Sequence, residues 1–304
     1  MTGAAAHAAP FAYVTDAGSG TVSVIDIATN SVLTTVTVGV SPEQVAVTLN
    51  GLFAYVTNPG SDNVSVIATA TNTVVATISV GDGPAGVAIT PDGVRAYVTN
   101  LVDNTVSVIA TATNTVVGSP ISVGSGPAGV AITPNGFSAY VVNFADNTVS
   151  VIDTATNTVI ATVIVDSGPT GVAITPNGAF VYVANFVANS VSVIATATNT
   201  VIATILVGQR PDFLAVSRDG ASVFVPNQNS NTVSVIDTAT NTVTATILVG
   251  VSPTGIATTP ADIPRIPTLS AGALVLLLAA MAALLALRIV TRQVSPPPGP
   301  PRAI

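Results

Sequence analysis

One aromatic position recurs along this chain at a nearly constant step. It falls at Tyr13, Tyr55, Tyr97, Tyr140, Tyr182 and Phe224, so successive differences are 42, 42, 43, 42 and 42. The stretch around it reads AYVTN at 54–58 and 96–100, with FAYVTD, SAYVVN, FVYVAN and SVFVPN as the other copies. A fixed period of this size restricts a chain to solenoids, propellers or arrays. Each unit is one supersecondary element that buries its apolar face only against its neighbours.

Four β-rich runs fill each period, shown by GVAIT (86–90), AYVTN (96–100), TVSVIA (105–110) and TVVGSPISV (115–123). Val, Ile, Thr and Tyr dominate them, as half-buried strands require. Asn50-Gly51, Asp92-Gly93, Asn135-Gly136, Asn177-Gly178 and Asp219-Gly220 separate the first run from the second. Such pairs tolerate positive φ, which predicts an antiparallel hairpin there. A Gly-to-Pro segment (Gly81 to Pro84, Gly124 to Pro127, Gly208 to Pro211) follows the fourth run and marks the step to the next sheet. A parallel β-helix with two coils per period is the rival, and recurrent hairpins argue against it. The reading is an all-β β-propeller of four-stranded antiparallel blades, six by repeat count. The one spacing of 43 comes from Gly118-Ser119-Pro120 inside a fourth run. Proline in a ladder belongs at an edge or bulge, so the fourth strand should be the outer edge and the GVAIT strand should line the channel. The repeats begin with a second-type strand (FAYVT, 11–15) and end with a first-type strand (GIATT, 255–259). Pairing of those two would close the ring and leave no free edge.

Composition removes several chemistries. The chain has no Cys and no Lys, its one His is His7, and its one Glu is Glu43. Thiolate metal sites, Schiff bases, His-based triads and His-rich cages are excluded, so no metal and no cofactor is expected. The net charge of −7 argues against nucleic acid as a partner.

The succession YVTN, TVSVID and TNTV resembles the YVTN family of β-propeller repeats over residues 11–260. That resemblance implies an exported bacterial or archaeal protein, often with seven blades. The segment IPTLSAGALVLLLAAMAALLALR (266–288) resembles the IPTL type of C-terminal sorting signal. Its motif residues are Ile266, Pro267, Thr268, Leu269 and Ser270. The resemblance implies export and an exosortase-type processing enzyme as partner. Ala271-Gly272 and the extension SPPPGPPRAI depart from the usual tail. Independently, residues 269–288 are apolar for long enough to span a membrane at ~1.5 Å per residue. Arg288 and Arg292 flank that span, which predicts a cytoplasmic tail and an external propeller. The expected domains are a leader or signal-peptide remnant (1–10), the propeller (11–260), a Pro-containing spacer (261–268), the transmembrane helix (269–288) and a Pro-rich tail (289–304). Ala6-His7-Ala8 has the small-residue character of a signal-peptide end, so an export signal extending before Met1 is expected, with a disordered leader as the alternative.

Most repeated residues read as structural. One aromatic per blade is what packing between blades predicts. Asn58, Asn100, Asn143, Asn185 and Asn227 read as turn formers, and the TATNT segments as solvated hairpin tips. Only departures from the repeat can build an asymmetric site. Where most copies have Ala-Gly or Thr-Gly after the proline, one has Glu43-Gln44 and another has Asp212-Phe213, preceded by Gln209-Arg210. Glu43, Arg210 and Asp212 are therefore the candidate ligand-binding residues at one channel mouth, although a solvated Arg–acid pair on the rim weighs more. The expectation is a non-enzymatic, exported surface propeller, anchored or sorted through its tail, that binds a glycan or protein. The alternative is a ligand-binding or hydrolytic, lactonase-like propeller with its site at the channel mouth.

Overall fold

The computed structural model describes residues 11–256. The leader, the sorting motif, the apolar span at 269–288, Arg288 and Arg292 all lie outside that range. No helix among the described residues is long and apolar enough to cross a membrane.

Six antiparallel sheets follow one another along the chain. The first holds β1 (Phe11–Asp16), β2 (Thr21–Asp26) and β3 (Ser31–Thr37). The second holds β4 (Val45–Val47), β5 (Phe53–Asn58), β6 (Asn63–Ala68) and β7 (Thr73–Ser79). The third holds β8 (Pro84–Ile89), β9 (Arg95–Asn100), β10 (Thr105–Ala110) and an interrupted edge of β11 (Thr115–Val116) and β12 (Ile121–Ser122). In the fourth are β13 (Pro127–Ile132), β14 (Ser138–Asn143), β15 (Thr148–Asp153) and β16 (Thr158–Ile164). In the fifth are β17 (Pro169–Ile174), β18 (Phe180–Asn185), β19 (Ser190–Ala195) and β20 (Thr200–Leu206). The sixth has β21 (Ala215–Val216), β22 (Ser222–Asn227), β23 (Thr232–Asp237) and β24 (Thr242–Leu248). The spatial order within each sheet follows the sequence order. Both β11 and β12 pair with β10, so the Gly118-Ser119-Pro120 insertion does interrupt an outer strand.

The hairpin between first and second strands uses its Asn-Gly or Asp-Gly pair unequally. Gly93 takes φ of 73°, whereas Asp92 spends its carboxylate on the Val94 N–H and the Thr90 hydroxyl. Only the glycine needs the left-handed region, and the Asx side chain braces the loop.

Between sheets, apolar cores form from one blade's Tyr, Val and Ile side chains and the next blade's Val and Ile side chains. Tyr182, Val191, Val193 and Ile205 pack in this way against Val223, Val225 and Ile236. Five such cores join the six sheets among the described residues. Each is closed by a hydrogen bond that a solvated-tip reading of TATNT did not foresee. The hydroxyls of Tyr13, Tyr55, Tyr97, Tyr140 and Tyr182 donate to Oδ1 of Asn72, Asn114, Asn157, Asn199 and Asn241 in the following blade. Burial also pushes the Tyr140 and Tyr182 phenols up to about 12, so these donors keep their protons. A double-mutant cycle on Tyr140→Phe and Asn199→Ala should give a coupling of about 1 kcal/mol in chemical denaturation, the net worth of one such bond. Zero coupling would show that the tyrosine contributes only its ring.

The asparagines that close the second strands are not turn formers. Asn100 is fully buried and its Nδ2 donates to the hydroxyls of Thr105 and Ser107 on the neighbouring strand. Asn143, Asn185 and Asn227 repeat this arrangement.

Most of the strand expected to close the ring, 255–259, lies outside the described residues. The first sheet has three strands, and no ladder joins residues 251–256 to β1 among the described residues. The sixth crossover nevertheless starts like the others. Ser252 N–H donates to Asn231 Oδ1, as Gly126 N–H does to Asn104 Oδ1 and Gly168 N–H to Asn147 Oδ1. The boundary between sheets six and one carries no apolar core among the described residues. Val14 there is 44% exposed, although its equivalents Val56, Val98, Val141 and Val183 are fully buried. Phe224, the one copy without a hydroxyl, belongs to the sheet facing that boundary.

Candidate active site at the channel mouth

The site exists because two copies of the repeat break its inner strand. In β8, β13 and β17 the third residue is Gly86, Gly129 or Gly171. These glycines let neighbouring inner strands touch backbone to backbone. A Cβ on Gly129 would lie 2.8 Å from the Thr170 carbonyl oxygen, and one on Gly171 2.8 Å from Phe213 Cα. Gln44 and Phe213 stand at the equivalent positions of sheets two and six. In those two sheets the inner strands are short, three residues in β4 and two in β21. A cavity of about 700 Å³ opens between them. Its wall is formed by Val14, Val45, Val172, Phe213, Leu214 and Ile256, with Tyr13, Thr15, Glu43 and Gln44 as the polar side chains.

Glu43 stands on this wall with its backbone fixed on both sides. The Thr15 hydroxyl donates to the Glu43 carbonyl at 2.9 Å, and the Glu43 N–H donates to the Thr57 carbonyl at 3.0 Å. Gln44 is held by Thr57 Oγ1, which accepts its N–H at 3.0 Å, while its Oε1 accepts the Val87 N–H at 2.5 Å. Across the cavity, the Asp212 N–H donates to the Pro226 carbonyl at 3.1 Å.

Both carboxyls are raised above their ordinary values, for related but unequal reasons. Burial is the main cause at Glu43, and the negative charge of Asp212 adds to it. Glu43 is nonetheless an exposed residue, so the surrounding protein removes only part of its solvation shell. Burial also raises Asp212, but the Thr170 hydroxyl and the Phe213 N–H favour its charged form and pull it back. Both carboxyls are thus shifted toward the protonated form, and only at Asp212 do hydrogen-bonding groups oppose the shift.

A carboxyl raised in the folded state contributes fully to stability below its unfolded value, 4.5 for Glu43, and loses that contribution as pH rises through its folded value. Glu43→Gln should thus raise the melting temperature at pH 7 and leave it unchanged at pH 4. An equal gain at both pH values would show that desolvation of the charge is not the cause.

Arg210 does not join the two acids. Its guanidinium lies over the Phe186 ring, 5.2 Å from the centroid. It lines a separate hollow with Phe186, Val187 and Asn189. Its backbone has φ of 53°, a left-handed position that Gly83, Gly126 and Gly168 fill in other copies. The expected cluster of Glu43, Arg210 and Asp212 is therefore two acids in one place and an arginine in another. Gln44, Thr15 and Thr170 were not foreseen. The signal for Gln44 and Phe213 was present, since both replace a recurrent glycine.

Six successive antiparallel sheets, joined through shared apolar cores, make this chain a β-propeller. The model of a family described as "Lactonase, 7-bladed beta-propeller" matches residues 110–250. That description has seven blades against the six sheets of residues 11–256. Solved structures share the fold. Hydrazine synthase of Kuenenia stuttgartiensis aligns with a TM-score of 0.71 and 24% identity, over 80% of this chain and 84% of that one. A putative 6-phosphogluconolactonase from Bacteroides uniformis gives 0.69 and 18%, over 80% and 82%. Streptogramin B lyase gives 0.71 and 15%, over 83% and 84%. No curated protein matches the chain.

The family match corrects the expectation of a non-enzymatic protein, because the family whose model fits is one of lactonases. The sequence argument required many ligands or bases converging on the channel. Hydrolysis of an activated ester needs as few as one base and one acid, so a small number of polar groups at the channel does not exclude it.

Proposed function

We propose that this propeller hydrolyses cyclic esters at the channel mouth, with Asp212 as general base and Glu43 as general acid. The observation that carries the reading is a cavity with Glu43 on its wall and Asp212 near enough for its charge to act on that carboxyl. The lactonase-family match, whose span includes Asp212, supports it. In the reaction, Asp212 accepts a proton from a water that attacks the lactone carbonyl carbon. The new C–O bond forms as the acyl bond to the ring oxygen breaks, and Glu43 gives its proton to that oxygen. The product is a hydroxy acid, and a proton passing from Asp212 to Glu43 restores the start.

The test is base uptake by the full chain with a panel of five- and six-membered lactones. The expected pH profile is a bell. Its acid limb reports protonation of Asp212 and its alkaline limb ionisation of Glu43, both above the usual carboxylate range. Glu43→Gln should remove the alkaline limb. Absence of turnover across the panel contradicts the reading.

The proposal extends to where the protein works. The motif Ile266–Ser270, the apolar stretch 269–288 and Arg288 with Arg292 support export with the propeller outside the membrane. An epitope after Arg302 should then survive protease added to spheroplasts while the propeller is digested.

A further inference from the structure

The walls of the channel-mouth cavity say which cyclic ester fits. This inference rests on the hydrolase reading and narrows it. Six of the lining side chains are apolar: Val14, Val45, Val172, Phe213, Leu214 and Ile256. Among the described residues its one charged lining residue is Glu43, and Asp212 adds a second carboxyl close enough for its charge to act on Glu43. No arginine among the described residues is on the wall. Arg210 is turned onto Phe186, Arg95 donates to the Thr154 carbonyl at 2.7 Å, and Arg218 is exposed outside the lining set. A phosphate or carboxylate on the substrate would meet two acids and no cation, the arrangement that excludes an anion. The volume, about 700 Å³, exceeds what a bare five-membered ring needs and lies within the range of sites that enclose a drug-sized ligand.

We infer that the substrate is a neutral lactone carrying an apolar chain, and that phosphorylated sugar lactones are rejected. The acids hold the ring at the polar edge, beside Thr15 and Gln44. The alkyl or acyl chain lies along Val172, Phe213, Leu214 and Ile256.

Four probes decide it with the full-length protein: γ-butyrolactone, γ-decalactone, a phosphorylated aldonolactone, and the lactam analogue of γ-decalactone as a hydrolysis-resistant ligand. Each methylene buried on the wall is worth about fourfold, so the decalactone should exceed the butyrolactone at least ~10²-fold in kcat/KM. The phosphorylated lactone should show no measurable turnover. Phe213→Ser should shrink the chain-length preference, lowering kcat/KM for γ-decalactone more than for γ-butyrolactone. Preference for the phosphorylated lactone, or indifference to chain length, overturns the inference while the hydrolase reading stands. If no lactone is hydrolysed but the lactam raises the melting temperature and γ-butyrolactam does not, the hydrolase reading fails and the ligand class survives. If neither turnover nor lactam binding is seen, the inference is wrong.

Discussion

Gly86→Ala should lower the melting temperature by about 6–12 °C, the largest effect expected of any single methyl group added to this protein. The new Cβ would collide with the Ala128 carbonyl oxygen and lie 3.1 Å from Thr99 Oγ1 and 3.3 Å from Gly129 Cα. None of these atoms is free to yield. Thr99 Oγ1 donates to the Ala128 carbonyl at 2.6 Å and accepts the Gly86 N–H at 2.7 Å, so the hydroxyl clamps both inner strands. Overpacking of this kind costs about 3 kcal/mol, and each kcal/mol shifts the midpoint by roughly 2–4 °C in a domain of this size. Gly18→Ala, where nothing lies within 4 Å, is the control and should melt with the parent. If the two variants melt alike, the close approach of inner strands does not exist.

The second large effect is on turnover. Asp212→Asn should cut kcat/KM by about 10²–10⁴, the usual worth of a positioned proton acceptor. Asparagine has nearly the same shape, and the Asp212 N–H bond to the Pro226 carbonyl does not involve the side chain. The fold should therefore survive. Because Asp212 is raised by burial, its charge costs stability at neutral pH, and the variant should melt at or above the parent at pH 7. Lost activity with kept or increased stability is the signature of a functional carboxylate. A variant that melts normally and retains full kcat/KM would mean that Asp212 is not the base.

Much of the architecture was legible because each repeat carries its own instructions. Alternation of Val, Ile and Thr specifies strands, and Gly93 specifies the left-handed turn that joins β8 to β9. The period specifies that the same unit recurs, and Gly118-Ser119-Pro120 marks an outer edge through the missing N–H of proline. The roles of the asparagines were not legible. Asn58 and Asn72 look alike as polar residues near strand ends, yet one is fully buried and bonded within its sheet, while the other accepts a tyrosine hydroxyl from the blade before. Local sequence reports a preference for a backbone shape. Which hydroxyl arrives from a residue 59 positions away is set by how blades stack.

By itself the sequence determined the repeating unit, its strands and turns, the outer edge of the blade, and the two copies, at Glu43 and Asp212, where the pattern breaks. Only the tertiary structure decided what those breaks accomplish. The two copies with Gln44 and Phe213 in place of Gly are also the two with the short inner strands β4 and β21. A cavity opens there, the charge of Asp212 acts on Glu43, and Arg210 lies on Phe186. The physical reason is that strand formation is settled by neighbours along the chain. Burial and the raised pKa values of Glu43 and Asp212 depend on which side chains converge on the channel from sheets far apart in sequence.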